Sequence, residues 1–298
     1  MSAADSEKSE VHVRIRGLNR AFGGKKRAPA VHALGPLDLD LYRGEFFSVV
    51  GPSGCGKSTL LDSMAGLSTI VEGSVQFEGK NVNGDVPSGV GVVFQEDSSF
   101  AWLTVYDNVA FGLRRTGTDP AEIKRRVDHA IGFVGLRDFV NAYPAQLSGG
   151  MRQRVCIART LVMQPRLILL DEPFGALDQQ TRLLMGDELL NLWRETGATV
   201  MLITHALDEA AMLSDRVGVM SSRPGRFLEI IPTHWAKDRD SNIVSHPEFG
   251  NLTARLWSLL RQESMKAMQR RKLHRPYDAT LKPSQPEGGH QEASGVSS

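Results

Sequence analysis

The chain has 298 residues, 41% of them hydrophobic, with 35 Lys and Arg set against 34 Asp and Glu. That is enough apolar content for a sizeable core in one large or two modest domains. The balanced charge gives no sign of bulk attraction to a nucleic-acid backbone. No apolar run nears the roughly 18 residues that span a bilayer. The polar start MSAADSEKSE holds no signal-peptide core. The eight histidines show no paired metal-ligand spacing. Of the two cysteines, Cys55 and Cys156, the first lies inside a glycine loop where a disulfide would be disruptive, which argues for a reducing compartment.

Residues 1–10 are expected to be disordered. VHVRI (11–15), LDLDL (37–41) and EFFSVV (45–50) read as strands from alternation or β-rich composition, and GKKRAP (24–29) as a basic turn. A helix is predicted from about Ser58 to Met64. GSVQF (73–77) and VGVVF (90–94) are further strands. Between about Asp107 and Thr160 the pattern turns helical, in DNVAFGLRR, AEIKRRVDHAIGFVG and the stretch after LSGG. Strands return at RLILLD (166–171), ATVMLIT (198–204) and DRVGVM (215–220). Buried strands alternating with helices predict an α/β core with a largely parallel sheet, flanked by antiparallel early strands and interrupted by a helical insertion. In 248–271, Leu252, Leu256, Leu259 and Leu260 stand at helical spacing and predict an amphipathic helix. Its basic end (Lys266, Arg270, Arg271, Lys272) reads as a solvated helix end, with a membrane or partner surface as the alternative. The Pro-, Gly-, Ser- and Gln-rich 275–298 is expected to be disordered.

Two glycine-rich devices stand almost a hundred residues apart. GPSGCGKS (51–58) fits G-x-x-x-x-G-K-[ST] in full, between a strand and a helix. Gly51, Pro52, Ser53, Gly54, Cys55 and Gly56 form a loop whose backbone N–H groups turn onto a phosphate, and the helix start adds a favourable dipole. Lys57 reaches the outer phosphates, Ser58 ligates Mg²⁺ and Thr59 hydrogen-bonds an inner phosphate. A second acidic site is needed to fix the metal. LILLDE (167–172) supplies it at a strand end, with Asp171 for Mg²⁺ and Glu172 to orient or polarise the attacking water. The second device is LSGGMRQR (147–154). Ser148 offers a hydroxyl, and Gly149 and Gly150 expose N–H groups at a helix start. A plain N-cap at Ser148 is compatible with that reading.

The order of motifs carries a resemblance. Gln95 follows VGVVF, then come LSGGMRQR, LILLDE, GALD (175–178) and His205 after ATVMLIT. Over roughly residues 11–231 this resembles the ATP-binding subunit of an ABC transporter, with Met151 as a variant fifth signature position. The resemblance implies a P-loop NTPase core of ABC type at 11–231 with an antiparallel β subdomain and an inserted helical subdomain at about 97–165. A C-terminal linker and amphipathic helix follow at 232–274. It implies that two copies pair head to tail, the P-loop of one and the LSGG of the other enclosing one ATP. It further implies that Phe22, in LNRAF, stacks on adenine and that Gln95 senses Mg²⁺ and the attacking water. Asp178 is implied to lie near the dimer seam, and His205 to contact the γ-phosphate and hold Glu172 and water in line.

Within the family, THALDEAAMLSDRVGVMSSRPGR (204–226), SSFAWLTVYDNVAFGL (98–113) and HPEFGNLTARLWSLL (246–260) are similar to the nitrate, sulfonate and taurine importer group. The expectation is therefore an importer ATPase for a small anion. It would be peripheral at the cytoplasmic face of the cell membrane, held by separate permease subunits and served by an extracytoplasmic solute-binding protein. Ala101 stands where that group usually has Pro, ARTL (158–161) replaces ARAL, and IPTHWAKDRD (231–240) replaces a proline-rich basic link. None of these touches the nucleotide chemistry, but they loosen the assignment of a solute. An importer ATPase for another small solute, such as a pyrimidine vitamin precursor, is the alternative within the group. A soluble ABC ATPase acting on nucleic acid or ribosomes is the alternative from another class, and the near-zero net charge opposes it.

Overall fold

A computed structural model describes residues 10–23 and 30–274, with side chains as far as 267. The expected turn at 24–29, the disorder expected for 1–9 and 275–298, and the side chains of Arg270, Arg271 and Lys272 lie outside the described residues.

The chain opens with two long antiparallel strands, β1 (Val11–Phe22) and β2 (Val31–Tyr42), both longer than their alternation alone predicts. β3 (Phe46–Val50) follows, then helix α1 (Lys57–Met64). Next come β4 (Glu72–Phe77), the short β5 (Lys80–Asn81) and β6 (Val90–Val93). Three helices, α2 (Val105–Arg115), α3 (Pro120–Phe133) and α4 (Gly149–Leu161), fill the middle. Each starts on a side-chain cap from Thr104, Asp119 or Ser148, which satisfies an otherwise orphaned helix N–H. The chain then returns through β7 (Leu167–Asp171), α5 (Gln179–Thr196), β8 (Thr199–Ile203), α6 (Leu207–Leu213), β9 (Arg216–Met220) and β10 (Phe227–Pro232). It ends in α7 (Pro247–His274).

Two sheets result. A four-stranded antiparallel sheet has the order β2-β1-β4-β5. A six-stranded sheet has the order β10-β9-β3-β8-β7-β6, parallel except where β10 pairs with β9. Every residue of β3, β7 and β8 is buried, as a sheet covered on both faces requires. Alternation divides the two faces. Phe47, Val49, Leu167, Leu169, Met201 and Ile203 pack with α1 and the antiparallel sheet. Phe46, Val50, Ile168, Leu170, Val200 and Leu202 face the helical side. α7 joins that side through Leu252, Leu256 and Leu260, and rests on α6 and β9. Leu259 is only half-buried. Among the described residues, no helix is long and apolar enough to cross a membrane.

The register matters for function. Val49 lies opposite Ile203, Asp171 opposite Ile203, and Val93 opposite Leu170. Parallel strands in this register end at one edge. The segments after β3, β6, β7 and β8 therefore emerge side by side, where open α/β sheets bind ligands.

Candidate functional site

The loop after β3 is shaped by glycine. Gly56, the N-cap of α1, has φ 110°, and a Cβ there would come within 2.8 Å of the Ala33 carbonyl oxygen. Only glycine meets both demands at low cost. Lys57 is buried, and its Nζ donates to the Gly51 and Pro52 carbonyls at 2.9 and 3.3 Å, so its charge stays beside the loop. Cys55 is buried under the loop, where desolvation pushes its thiol up. Both cysteines are free.

A cleft of about 670 Å³ opens over this loop. Ser53, Gly54, Gly56, Lys57, Ser58 and Thr59 line it from below, and Gln95, Glu172 and His205 from the side. Phe22 stands at the rim, 49% exposed, with the Arg20 guanidinium 5.4 Å from its ring centroid. It is the last residue of β1. Segments spread along the chain from Phe22 to His205 thus meet in one cleft, as their strand ends require.

Glu172 is the hub. It follows β7 with φ 47°, uncommon for a non-glycine residue, and its N–H donates to the Ile203 carbonyl at 2.8 Å. Its Oε2 accepts from Gln95 Nε2 at 3.1 Å and meets His205 Nδ1 at 3.1 Å. The His205 side chain is 63% exposed, whereas that of Glu172 is 18% exposed. Asp171, one residue back, is buried, with Ser58 near its carboxylate. Burial pushes the Asp171 carboxyl up. Glu172's charge adds to that push, while Ser58 and Lys57 pull against it. A hydroxyl and a carboxylate near each other are hard oxygen donors, and Mg²⁺ needs only one or two such protein ligands beside substrate phosphates. The residues present therefore fit that ion. Among the described residues, no group of three or more His, Cys, Asp and Glu side chains forms a self-sufficient metal cage.

The turn bearing His205 is fixed from beneath. Thr204 Oγ1 accepts from Ala206 N at 3.0 Å and donates to Glu209 Oε2 at 2.6 Å. Glu209 Oε1 lies 3.2 Å from Arg182 Nε on α5. Burial holds the Glu209 carboxyl above its ordinary range. Sequence reasoning quoted this stretch only as part of a family pattern, and the contact with Arg182 left no local signal. Arg223 was also missed. It lines the cleft and grips the Gly54 carbonyl through Nε and Nη2 at 3.1 and 3.0 Å.

Ser148, Gly149, Gly150 and Asp178 do not line this cleft. Ser148 caps α4 by accepting from Met151 N at 3.3 Å. It is exposed together with Gly149. A Cβ on Gly150 would strike Leu177 Cδ2 at 2.7 Å, so this turn abuts the loop carrying Asp178. Asp178 caps α5 through Thr181 N–H and Oγ1, and those hydrogen bonds hold its carboxyl below the usual range. Hydrogen bonds from the signature stretch reach the Gln95 strand end, Gln153 Nε2 donating to the Phe94 carbonyl at 3.1 Å. Arg152 on α4 donates to Asp97 Oδ2 at 2.6 Å and to the Leu147 carbonyl at 2.7 Å, and Asp97 lies two residues past Gln95. Beyond it, Phe100 stacks on Trp102 with centroids 5.4 Å apart and touches Phe111 at 4.7 Å, while Arg159 sits over Phe100 at 4.6 Å. Trp102 is 73% exposed.

Comparison with known proteins bears on the family and the fold. Residues 34–175 match the family model described as ABC transporter. The nitrate import ATP-binding protein of Synechocystis is 41% identical over 257 residues, covering 84% of this chain and 96% of that protein. The taurine import ATP-binding protein of Pseudomonas aeruginosa is 44% identical over 258 residues, covering 85% and 93%. Among solved structures, a dimeric ATP-binding cassette in a post-hydrolysis state with ADP and Pi superposes with a TM-score of 0.68 at 29% identity, over 75% of this chain and 100% of that one.

Proposed function

The chain belongs to the ABC transporter family and is one of its ATP-hydrolysing subunits, and on that premise we propose that it drives import of a nitrate-, sulfonate- or taurine-like anion through separate permease subunits. One observation carries the catalytic reading, the convergence of Gln95 and His205 on a single oxygen of Glu172 beside the glycine loop.

In this reading the loop N–H groups, Lys57 and Thr59 bind the ATP phosphates, and Phe22 stacks on adenine. Ser58 and Asp171 hold Mg²⁺, with Gln95 nearby. When bound, the ion neutralises phosphate charge. Glu172 takes the proton of the attacking water, and His205 and Gln95 keep that water in line. Hydrolysis is then mostly positioning and electrostatic stabilisation. Ser148, Gly149 and Gly150 of one copy close over the ATP of the other, with Asp178 near the seam. The head-to-tail surfaces are closed by two-fold symmetry. ATP favours the closed pair because it makes contacts there that the open pair lacks, and hydrolysis removes them. The half-buried Phe100 with the exposed Trp102 and Phe111, continuous with the Gln95 loop, is the surface for a cytoplasmic segment of the permease. The protein would sit peripherally at the cytoplasmic face of the membrane, and a solute-binding protein on the other side would deliver the anion.

The first test is the molar mass of the Glu172→Gln chain by light scattering, with and without ATP. An ATP-dependent dimer is expected, and a monomer with ATP bound overturns the shared-nucleotide reading. For the solute, ATP hydrolysis by the assembled transporter is expected to rise with a nitrate- or sulfonate-loaded binding protein. Failure of nitrate and of every sulfonate, taurine included, overturns that part.

A further inference from the structure

A path of contacts runs from the nucleotide loop to the last helix. Arg223 places two donors on the Gly54 carbonyl, and the N–H of the same peptide, that of Cys55, donates to the Pro52 carbonyl at 3.2 Å. That peptide plane is held at both ends. Its orientation sets the direction of the neighbouring N–H groups in the cradle, because each peptide is rigid and only φ and ψ rotate.

Arg223 sits in the turn between β9 and β10, and the turn is wedged in place. Gly225 N donates to the Ala33 carbonyl at 2.9 Å, and Gly35 N donates to the Gly225 carbonyl at 3.1 Å. A Cβ on Gly225 would collide with the Cys55 carbonyl. The remaining anchor comes from α7. Glu263 Oε2 accepts from both the N–H and the hydroxyl of Ser222, at 2.8 and 3.0 Å. Its Oε1 accepts from Lys266 Nζ at 2.6 Å. Glu263 is 4% exposed and continues the face of α7 that buries Leu252, Leu256 and Leu260. A carboxylate in such a place is costly unless its acceptors are filled. Here three donors fill them, and two belong to the residue next to Arg223.

We propose that Glu263 is a positioning residue for ATP binding: it fixes Ser222 so that Arg223 clamps the Gly54–Cys55 peptide and holds the phosphate cradle in its binding shape. The C-terminal helix then acts on nucleotide affinity from a distance. This rests on the reading of residues 51–59 as the ATP phosphate loop.

The test is a titration of the full chain with a fluorescent ATP analogue, for the wild type, Glu263→Gln, Arg223→Ala and the double variant, below their thermal midpoints. Coupling between contacting residues commonly corresponds to a few-fold or more in an equilibrium constant, so Glu263→Gln should weaken binding about fivefold. Arg223→Ala should weaken it at least as much, and the double variant no further than Arg223→Ala alone. Should Glu263→Gln fail to fold, Ser222→Ala removes a single hydroxyl from the same path and decides in its place. Wild-type affinity in Glu263→Gln or Ser222→Ala overturns the proposal, whatever happens to the midpoint. So do losses that multiply with that of Arg223→Ala. Failure of the wild-type chain itself to bind the analogue overturns instead the loop reading beneath it.

Discussion

Replacing Glu172 with Gln removes a charge from the point where two other residues converge. Gln95 and His205 both approach Oε2 at 3.1 Å, and the carboxamide keeps an acceptor oxygen of the same reach. The backbone is held independently, by the Glu172 N–H on the Ile203 carbonyl, so the side chain should keep its place. On the function proposed above, what is lost is the proton acceptor. General-base catalysis contributes about 10²–10⁴-fold, which is about 2.7–5.4 kcal/mol of barrier. The phosphate cradle is untouched, so ATP affinity should stay within about threefold, the pattern of an interaction made only in the transition state. Acid-quenched phosphate formation in a single turnover, with enzyme in excess, separates the chemical step from product release. A rate within about tenfold of the wild type would refute the reasoning, because the contribution assigned to a base would then be missing.

Lys57→Ala removes a buried ammonium from beside the loop. Hydrogen bonds to charged groups contribute about 1.5–3 kcal/mol, so nucleotide affinity should fall about 10–100-fold in a fluorescence titration, and unchanged affinity would contradict the P-loop reading. Ser148→Arg should leave the chain's own ATP affinity unchanged, cost about 1 kcal/mol of stability through the lost cap, and abolish the ATP-dependent dimer. Loss of nucleotide binding by the monomer would contradict a role for Ser148 in the neighbouring copy. His12 is buried with Nδ1 2.6 Å from Thr199 Oγ1 and Nε2 3.3 Å from Glu78 Oε1 and 3.5 Å from Arg43. Burial, the largest effect, holds its pKa below the ordinary value, with Arg43 adding to that and Glu78 opposing it. The unfolded chain therefore takes up a proton near pH 6.5 that the native chain refuses. Stability should fall as pH drops through that value, by up to about 1.4 kcal/mol per pH unit for one proton. Urea unfolding at pH 5.5 and 7.5 should show a smaller difference for His12→Gln than for the wild type; an equal one would refute the assignment.

The sequence revealed those parts of the site that rest on local chemistry. The glycine loop, LILLDE and the leucine spacing of α7 each combine residue type with a fixed offset, and each took its expected conformation. β1 and β2 run longer than predicted because their outer halves are stabilised by pairing with each other, which no single strand's alternation reports. Gly17, with φ 56°, interrupts the β1 pattern without ending the strand. Arg223 escaped notice because its partner Gly54 is 169 residues away. Glu263 did leave a signal. It falls on the stripe of Leu252, Leu256 and Leu260, and a lone carboxylate on an apolar helix face asks for buried donors.

The Asp97–Arg152 pair has a consequence for timing. The pair ties the Gln95 loop to α4, so a shift of the signature turn is passed to the loop whose Gln95 touches Glu172. On the function proposed above, arrival of a second copy at one face would then be felt at the water site on the other. Glu172, Gln95 and His205 already meet in the single chain. What the neighbour would add is a signal to parts that are in place, carried by that ion pair.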